Sequence, residues 1–220
     1  MTAKCKLLLL CAIFSLGTAA GAKSPKPYTI HYEVKVKSAN FGNMGTRKLW
    51  AKGDKIRWES KSAGLPVHIV KNDDGVFLLH PWNDVAAKYP KGSPRGNPRA
   101  LLPGPTGSPK VFLKAVNAKK HGQETINNQS CDVYSYTDPT TKRKCRIWIA
   151  VKSGKPVQLL LKGEQGKQDT ITATYTKFVE GANAPDSLFE LPKGYTIRPM
   201  PERDLTSKAK AKKPNKKKSG

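Results

Sequence analysis

The chain has 220 residues, of which 40 are Lys or Arg and 16 are Asp or Glu, so its formal charge at pH 7 is +24. Hydrophobic residues make up 37 % of the chain, which excludes a wholly disordered protein and leaves enough apolar side chains for a core. The 18 glycines and 17 prolines interrupt the chain often and favour many short strands over long helices. So large a positive charge is typical of a nucleic-acid binder, which makes the compartment of the protein the first question.

The N-terminus has the three parts of a secretory signal peptide. Lys4 and Lys6 form a basic start, an apolar stretch runs from Leu7 to Leu16, and Ala20-Gly21-Ala22 is an A-x-A cleavage site. The alternative is a membrane anchor, but the apolar stretch is shorter than the about 20 residues that cross a bilayer. We expect cleavage before Lys23 and a periplasmic or secreted protein without a transmembrane helix. No nucleic-acid partner is expected in that compartment.

Strand patterns follow from Tyr28 onwards. Tyr28–Lys37 alternates apolar and polar residues, which predicts a strand with one buried face. Gly-containing turns then predict two hairpins and one further strand. The predicted strands are Thr46–Ala51 paired with Lys55–Ser60, Val67–Lys71 paired with Val76–His80, and Asp84–Tyr89.

The segment from Pro90 to Pro109 contains glycine or proline at almost every second position. No regular element tolerates that composition, and a loop of this length is usually a lid, a binding loop or a spacer. Ser108-Pro109 predicts the start of a short helix that reaches Lys120. Its apolar stripe, which must pack on a sheet, is Val111, Phe112, Ala115 and Val116.

More strands are predicted beyond this helix. They are Gln123–Ile126, Cys131–Thr137, Arg143–Val151, Val157–Lys162 and Thr170–Phe178, followed by a short turn in Pro185–Pro192. The pattern indicates a mainly β fold, with about ten strands in meander order forming one strongly curved antiparallel sheet or barrel. The short helix would cover its concave face.

Cys131 and Cys145 remain after cleavage of the signal peptide, and an oxidising compartment would allow them to pair. They flank the turn Asp138–Thr141, so a cross-strand disulfide and two free thiols on neighbouring strands are equally compatible with the sequence. A zinc site is disfavoured because the two cysteines lack the close paired spacing of metal ligands.

No catalytic or cofactor motif is found. The histidines His31, His68, His80 and His121 are scattered, and the glycine-rich segment lacks the Gly-Lys-Ser/Thr of a phosphate-binding loop. The polar and aromatic cluster at His80–Asp84 is explained equally well by a strand end and a turn. We expect no enzyme activity, no metal and no cofactor.

Several stretches resemble the LolA/LolB superfamily of periplasmic lipoprotein carriers and receptors, and especially its relatives labelled outer-membrane lipoprotein-sorting proteins. The resembling stretches are Leu49–Glu59, Gly122–Asn127 running into Cys131–Tyr134, Ile147–Ala150 with Gly154–Val157, and Pro185–Tyr195. The resemblance implies an unclosed β-barrel whose concave apolar face is covered by helices and holds acyl chains. Gly53-Asp54 stands where the carrier has the Arg-Pro that latches its lid, so no residue here inherits that role.

The predicted domains are a signal peptide (1–22), a half-barrel that resembles LolA (23–202) and, from its composition, a disordered Lys-rich tail (203–220). The resemblance implies a carrier-like protein that binds a lipid or a lipid-modified protein. Cavities for such ligands are mostly apolar, and each residue listed here can equally be ordinary core. The expected lining residues are Tyr32, Val34, Ile56, Trp58, Val67, Ile69, Leu78 and Trp148.

The positive charge is unevenly distributed. Of the total of +24, two units lie in residues 1–22 and seven in residues 203–220, which leaves +15 for residues 23–202. The tail is interpreted as an electrostatic tether to an anionic envelope surface, with a solvated end or a nucleic-acid contact as the alternatives. As a second function we consider a structural or interaction protein of the envelope that binds polyanions through its basic surface and tail. Under either function a monomer is expected. The tether lysines are Lys208, Lys210, Lys212, Lys213, Lys216, Lys217 and Lys218.

Overall fold

The computed structural model describes residues 27–62, 64–93, 104–163 and 169–200. The predicted signal peptide, the predicted tail and the middle of the Gly/Pro-rich segment lie outside these residues. The described strands are β1 (Thr29–Ser38), β2 (Gly42–Lys52), β3 (Lys55–Ser62), β4 (Leu65–Asn72), β5 (Gly75–His80), β6 (Val85–Lys88), β7 (Lys119–Ile126), β8 (Gln129–Thr137), β9 (Lys144–Ala150), β10 (Pro156–Leu161), β11 (Ile171–Glu180) and β12 (Thr196–Pro199). The helix α1 is Pro109–Ala115, and a 3₁₀ turn covers Asp186–Phe189.

All twelve strands belong to one sheet, in the order β12-β6-β5-β4-β3-β2-β1-β11-β10-β9-β8-β7. Two meanders, β1 to β6 and β7 to β11, are joined side by side through the antiparallel pairing of β1 with β11. The two ends of this order are not paired with each other, so the sheet is not closed into a barrel. The predicted fold class, an unclosed antiparallel sheet with one short helix, is confirmed.

The alternation of β1 decides which face of the sheet is buried. Ile30, Tyr32, Val34 and Val36 are each fully buried and belong to the main apolar cluster. We call the face that carries these side chains the inner face, and the opposite one the outer face. Neighbouring strands contribute Leu49, Trp58, Ile69, Ile147, Leu159 and Phe178 to the same cluster.

The outer face carries two smaller apolar clusters. One is formed by Val70, Phe77, Leu79 and Ala86, with Leu191 and Tyr195 packed against it. The chain after β11 therefore returns across the outer face of β4 to β6. Arg57 anchors this return by donating from Nη1 to the Leu188 carbonyl oxygen over 3.2 Å, and the Asn72 amide donates to the Phe189 carbonyl oxygen over 2.9 Å.

The helix α1 differs from its prediction. It begins at Pro109 as expected, but it ends at Ala115 because β7 begins at Lys119. The Ser108 side chain forms no capping hydrogen bond. Val111 is 67 % exposed, and the helix packs against the inner-face cluster through Phe112, Leu113 and Val116 instead.

The strand β12 was not predicted. It lies parallel to β6, with Thr196 opposite Val85 and Pro199 opposite Lys88. All four of its residues are exposed, so it has no alternation of buried and exposed positions by which sequence periodicity could reveal it.

Candidate functional site

The inner face brings together most of the residues that were expected to line a cavity. Tyr32, Val34, Ile56, Trp58 and Ile69 all belong to the inner-face cluster, and the half-buried Leu78 packs against it. Cross-strand pairing explains the grouping, because Leu49 lies opposite both Tyr32 and Trp58, and Ile69 lies opposite both Trp58 and Leu78. These side chains form a continuous apolar row across β1 to β5.

One of the expected lining residues lies on the other face of the sheet. Trp148 is on the outer face, where its indole Nε1 donates to Glu124 Oε2 over 2.8 Å and the Arg146 guanidinium lies 5.4 Å from its ring centre. This corrects the prediction, because alternation along β9 places Ile147 on the inner face and therefore its neighbour Trp148 on the other. Val67 lies two residues before Ile69 on β4 and therefore on the inner face, where it is half-buried but not part of the inner-face cluster.

The end of the Gly/Pro-rich segment covers part of the inner face. Gly104, Pro105 and Pro109 are buried. A Cβ added to Gly104 would overlap the Tyr175 hydroxyl oxygen and lie 3.5 Å from Leu159 Cδ2, so only glycine permits this close approach. We call residues 104–118, which include α1, the lid.

A pocket of 410 Å³ opens between the lid and the start of the sheet. Tyr28 and Gly53 form the sheet side, and the lid supplies the remaining walls. Gly53 closes the β2–β3 turn with a φ of +57° and donates its backbone N–H to the Tyr28 carbonyl oxygen over 3.1 Å. The lid residues lining the pocket are Thr106, Gly107, Ser108, Val111, Phe112 and Ala115.

One cation faces the apolar inner face. Arg47 lies opposite Val34, so its side chain leaves β2 on the inner side, and its guanidinium stands 5.8 Å from the ring centre of Trp58. Desolvation lowers the pKa of Arg47 below its ordinary value. Among the described residues no carboxylate forms an ion pair with it; its hydrogen-bond contact is the Met44 sulfur at 4.0 Å.

Two buried tyrosine hydroxyls lie on the same face of the sheet as this cation. The rings of Tyr32 and Tyr175 meet edge to face with centres 5.3 Å apart. Each hydroxyl oxygen is buried and has no hydrogen-bond partner within the described segments. Burial raises the pKa of both phenols, so both are neutral donors at physiological pH.

The outer face has a groove of a different character. It holds 430 Å³ and is lined by β2, β3 and β4, with Lys48, Glu59, Lys61 and His68 among its residues. Arg57 bridges two of these residues, donating to Glu59 Oε1 over 2.7 Å and lying 3.2 Å from His68 Nδ1. The carboxylate of the groove is therefore already paired with a cation of the same face.

Of the two arrangements of Cys131 and Cys145 that the sequence left open, the structure has the free thiols. Cys131 lies opposite Ala150 and Cys145 opposite Tyr136 in the pairing of β8 with β9, five positions apart, or about 17 Å along the strand. The two thiols are free and belong to clusters on opposite faces of the sheet. Because five is odd, alternation sends the two side chains to opposite sides, and this hairpin register cannot join them.

Within the described part of the chain, no three His, Cys, Asp or Glu side chains are grouped as metal ligands. Neither is any described helix long and apolar enough to cross a membrane. His80 and Trp82, the cluster considered in the sequence, form an edge-to-face ring contact at the end of β5 with centres 4.7 Å apart.

The fold is similar to that of an uncharacterized conserved protein from Thermus thermophilus, with a TM-score of 0.52, 10 % identity, and coverage of 77 % of this chain and 90 % of that one. A LolA superfamily protein, NE2245 from Nitrosomonas europaea, is also similar, with a TM-score of 0.36, 8 % identity, and coverage of 75 % of this chain and 90 % of that one. LprF from Mycobacterium bovis matches the fold of this chain with a TM-score of 0.42 and 11 % identity, over 77 % of this chain and 90 % of its own.

These likenesses concern the fold alone. No protein-family profile matches the sequence, and no curated protein sequence matches it either. The function is therefore argued from the inner face itself.

Sequence reasoning missed Arg47, Gly104 and Tyr175. Arg47 could have been placed by alternation, since it lies two residues from Leu49 on the same strand and therefore on the same face. Gly104 carries no such signal, because its contact with Tyr175 exists only once the lid lies against β10 and β11.

Proposed function

We propose that this protein is an exported, non-enzymatic carrier that holds the acyl chains of a lipid or a lipid-modified protein against its inner face. The observation that carries the proposal is the lid. A continuous apolar face is covered by a short segment whose helix has seven residues and whose apolar contacts are only half-buried. Such a cover can be displaced at low cost, because few apolar side chains hold it in place.

The pocket beside the lid supports the same function. Its walls are mainly apolar, and Val111 at its edge is exposed. A pocket of 410 Å³ has room for part of an acyl chain, and lifting the lid would extend it along the row from Tyr32 to Leu78. Burying one methylene group contributes about 0.8 kcal/mol, so a single chain of ordinary length supplies substantial binding energy.

Tryptophan fluorescence tests this proposal, because the four tryptophans occupy different surroundings. Trp58 is on the inner face, Trp148 is on the outer face, and Trp82 is 45 % exposed. A phospholipid with brominated acyl chains quenches an indole that it touches. We expect quenching of the wild-type protein to disappear in Trp58→Phe and to persist in the matched control Trp148→Phe. Quenching that persists in Trp58→Phe, or no quenching of the wild type, would contradict the proposal.

Export is part of the proposal and rests on residues 1–22. We expect protein recovered from the periplasm or the medium to begin at Lys23, which N-terminal sequencing measures. An intact N-terminus on the recovered protein would argue against cleavage.

The alternative function is a structural envelope protein that binds polyanions. The charge of +15 on residues 23–202 supports it. Native mass spectrometry of protein purified without detergent from its own envelope separates the two functions. Co-purified acyl lipid supports the carrier, whereas lipid-free protein with salt-sensitive polyanion binding supports the alternative.

A further inference from the structure

Three polar groups on the inner face have hydrogen-bonding capacity that the surrounding side chains do not use. They are the guanidinium of Arg47 and the hydroxyls of Tyr32 and Tyr175. Arg47 on β2 and Tyr175 on β11 have the same cross-strand partner, since both lie opposite Val34 of β1. Arg47 and Tyr175 thus flank Val34 in one cross-strand row, with backbones about 10 Å apart, and Tyr32 is in the adjacent row.

Each of these groups lowers the stability of the folded protein at its present position. A buried hydroxyl without a partner costs about 1–3 kcal/mol, and a partly buried cation without an anion loses hydration that Coulomb attraction does not replace. The Met44 sulfur is a weak acceptor, and the Trp58 ring offers only a cation–π contact. Five donors on Arg47 and one on each tyrosine therefore face an otherwise apolar surface.

We propose that Arg47 binds the phosphate of a diacyl phospholipid and that the Tyr32 and Tyr175 hydroxyls donate to the ester carbonyl oxygens next to that phosphate. This assignment rests on the proposed function, in which the acyl chains lie against the inner face. It adds the chemical class of the ligand and the orientation of its headgroup.

The number and kind of donors favour a phospholipid over other acyl ligands. A guanidinium pairs with a phosphate through two parallel hydrogen bonds, and the pair is strongest where water is excluded. A diacyl phospholipid carries two ester carbonyls within a few bonds of its phosphate, which matches two neutral donors on the same face as one cation, in its own and the adjacent cross-strand row. A fatty acid ends in a single carboxylate, and a diacylglycerol has the two esters but no charge for Arg47.

The direction of the ligand follows from the placement of the lid. Gly104 lies against Tyr175, and the lid extends from there towards Tyr28 and Gly53, the far end of β1 and β2 from Met44. Acyl chains that leave the phosphate at Arg47 can run beneath the lid towards the pocket of 410 Å³.

Equilibrium binding of dioleoyl lipids to the delipidated full chain tests the assignment. The probes are phosphatidylglycerol, dioleoylglycerol and oleate, each presented in a nonionic detergent. The variants are Arg47→Gln, Tyr32→Phe and Tyr175→Phe. The control is Lys61→Gln, which removes an exposed cation of β3. Urea unfolding of each lipid-free variant checks folding.

We expect the wild type to bind phosphatidylglycerol at least about tenfold more tightly than dioleoylglycerol, and Arg47→Gln to abolish this preference without weakening dioleoylglycerol binding. Each Tyr→Phe variant should weaken both diacyl lipids about threefold, while the urea midpoint of the lipid-free protein stays equal or rises. Lys61→Gln should leave all affinities unchanged.

Results that would contradict the phosphate assignment differ from results that would contradict the carrier function. If the wild type binds both diacyl lipids equally, or if Arg47→Gln keeps the preference, the phosphate assignment is overturned and the carrier function stands. If oleate binds as tightly as phosphatidylglycerol and depends on Arg47, the anion is a carboxylate and the phospholipid is wrong. If none of the three probes binds the wild type, the carrier function itself fails.

Discussion

His31 and His68 each lie next to charged groups on the outer face, and both should be neutral at pH 7. Desolvation lowers the pKa of each, and the nearby cations Lys177 and Arg57 lower them further, while Glu33 and Glu59 act in the opposite direction. His31 Nε2 stands 3.6 Å from Glu33 Oε1, too far for a hydrogen bond, and its ring stacks on Trp50 with centres 4.5 Å apart. His31 therefore interacts through its ring contact with Trp50 more than through a salt bridge with Glu33.

This predicts a loss of stability in mild acid. A histidine whose pKa is lower in the folded state binds more protons when unfolded, so the stability it contributes is present above about pH 6.5 and is lost as the pH falls below that value. The urea midpoint should decrease between pH 7.5 and pH 5.5. The decrease should be smaller in a His31→Gln/His68→Gln variant, and an equal decrease in that variant and the wild type would contradict the assignment to these two groups.

The free thiols lead to a second prediction at the level of single residues. Burial raises the pKa of Cys145 to about 11 and also raises that of Cys131. Since the thiolate is the reactive form, neither should react with an aromatic disulfide reagent at pH 8 while the protein is folded. Both should react in urea without prior reduction. Reagent uptake that requires a reductant would show that a disulfide had formed.

At the level of secondary-structure elements, the position of the lid depends on one glycine, Gly104. A Cβ on Gly104 would overlap the Tyr175 hydroxyl oxygen, and the Tyr175 ring cannot move freely because it contacts Tyr32 and Phe178 at centre distances of 5.3 and 6.0 Å. In the matched control Gly107, a Cβ would meet Tyr28 at an ordinary 3.8 Å. The two glycines belong to the same segment. Comparing their alanine variants therefore separates the effect of the overlap with Tyr175 from the effect of placing any alanine in the lid.

We expect Gly104→Ala to lower the free energy of unfolding by about 1–3 kcal/mol and to speed hydrogen exchange in residues 104–118. Gly107→Ala should change neither quantity appreciably. Adding Tyr175→Phe to Gly104→Ala should restore part of the loss, because it removes the oxygen that the methyl group meets. Additive effects in the double variant would mean that the overlap does not govern the lid.

At the scale of the whole molecule, charge and apolar surface serve different parts of the proposed function. The inner face would hold acyl chains, and the tail, which lies outside the described residues, would hold the protein near an anionic surface. Deletion of residues 203–220 removes seven units of positive charge. Polybasic segments gain about 1 kcal/mol per basic residue near such a surface.

The deletion should therefore weaken binding to vesicles that contain phosphatidylglycerol, measured by sedimentation at low salt, and should leave binding to neutral vesicles unchanged. Replacing the seven tail lysines by glutamine should reproduce the deletion, since the effect depends on charge. Binding that is insensitive to both changes would rule out the tether.

Turn residues and local periodicity together predicted eleven of the described strands, and β1 shows what periodicity contributes. Its apolar and polar residues alternate strictly, so the buried face could be assigned before any partner strand was known. The same reasoning failed at β9, where Ile147, Trp148 and Ile149 are all buried and no alternation distinguishes the two faces. The prediction that Trp148 lines the cavity rested on its residue type and not on alternation.

The sequence by itself determined the strands other than β12, the hairpin turns and the uneven distribution of charge, because each depends on residues that are neighbours along the chain. Tertiary structure alone decided which groups meet. The pairing of β1 with both β2 and β11 places Arg47 and Tyr175 on either side of Val34, and the lid then covers Tyr175 through a glycine far away in sequence. Such long-range pairings result from many weak contacts acting together, and no local pattern encodes them.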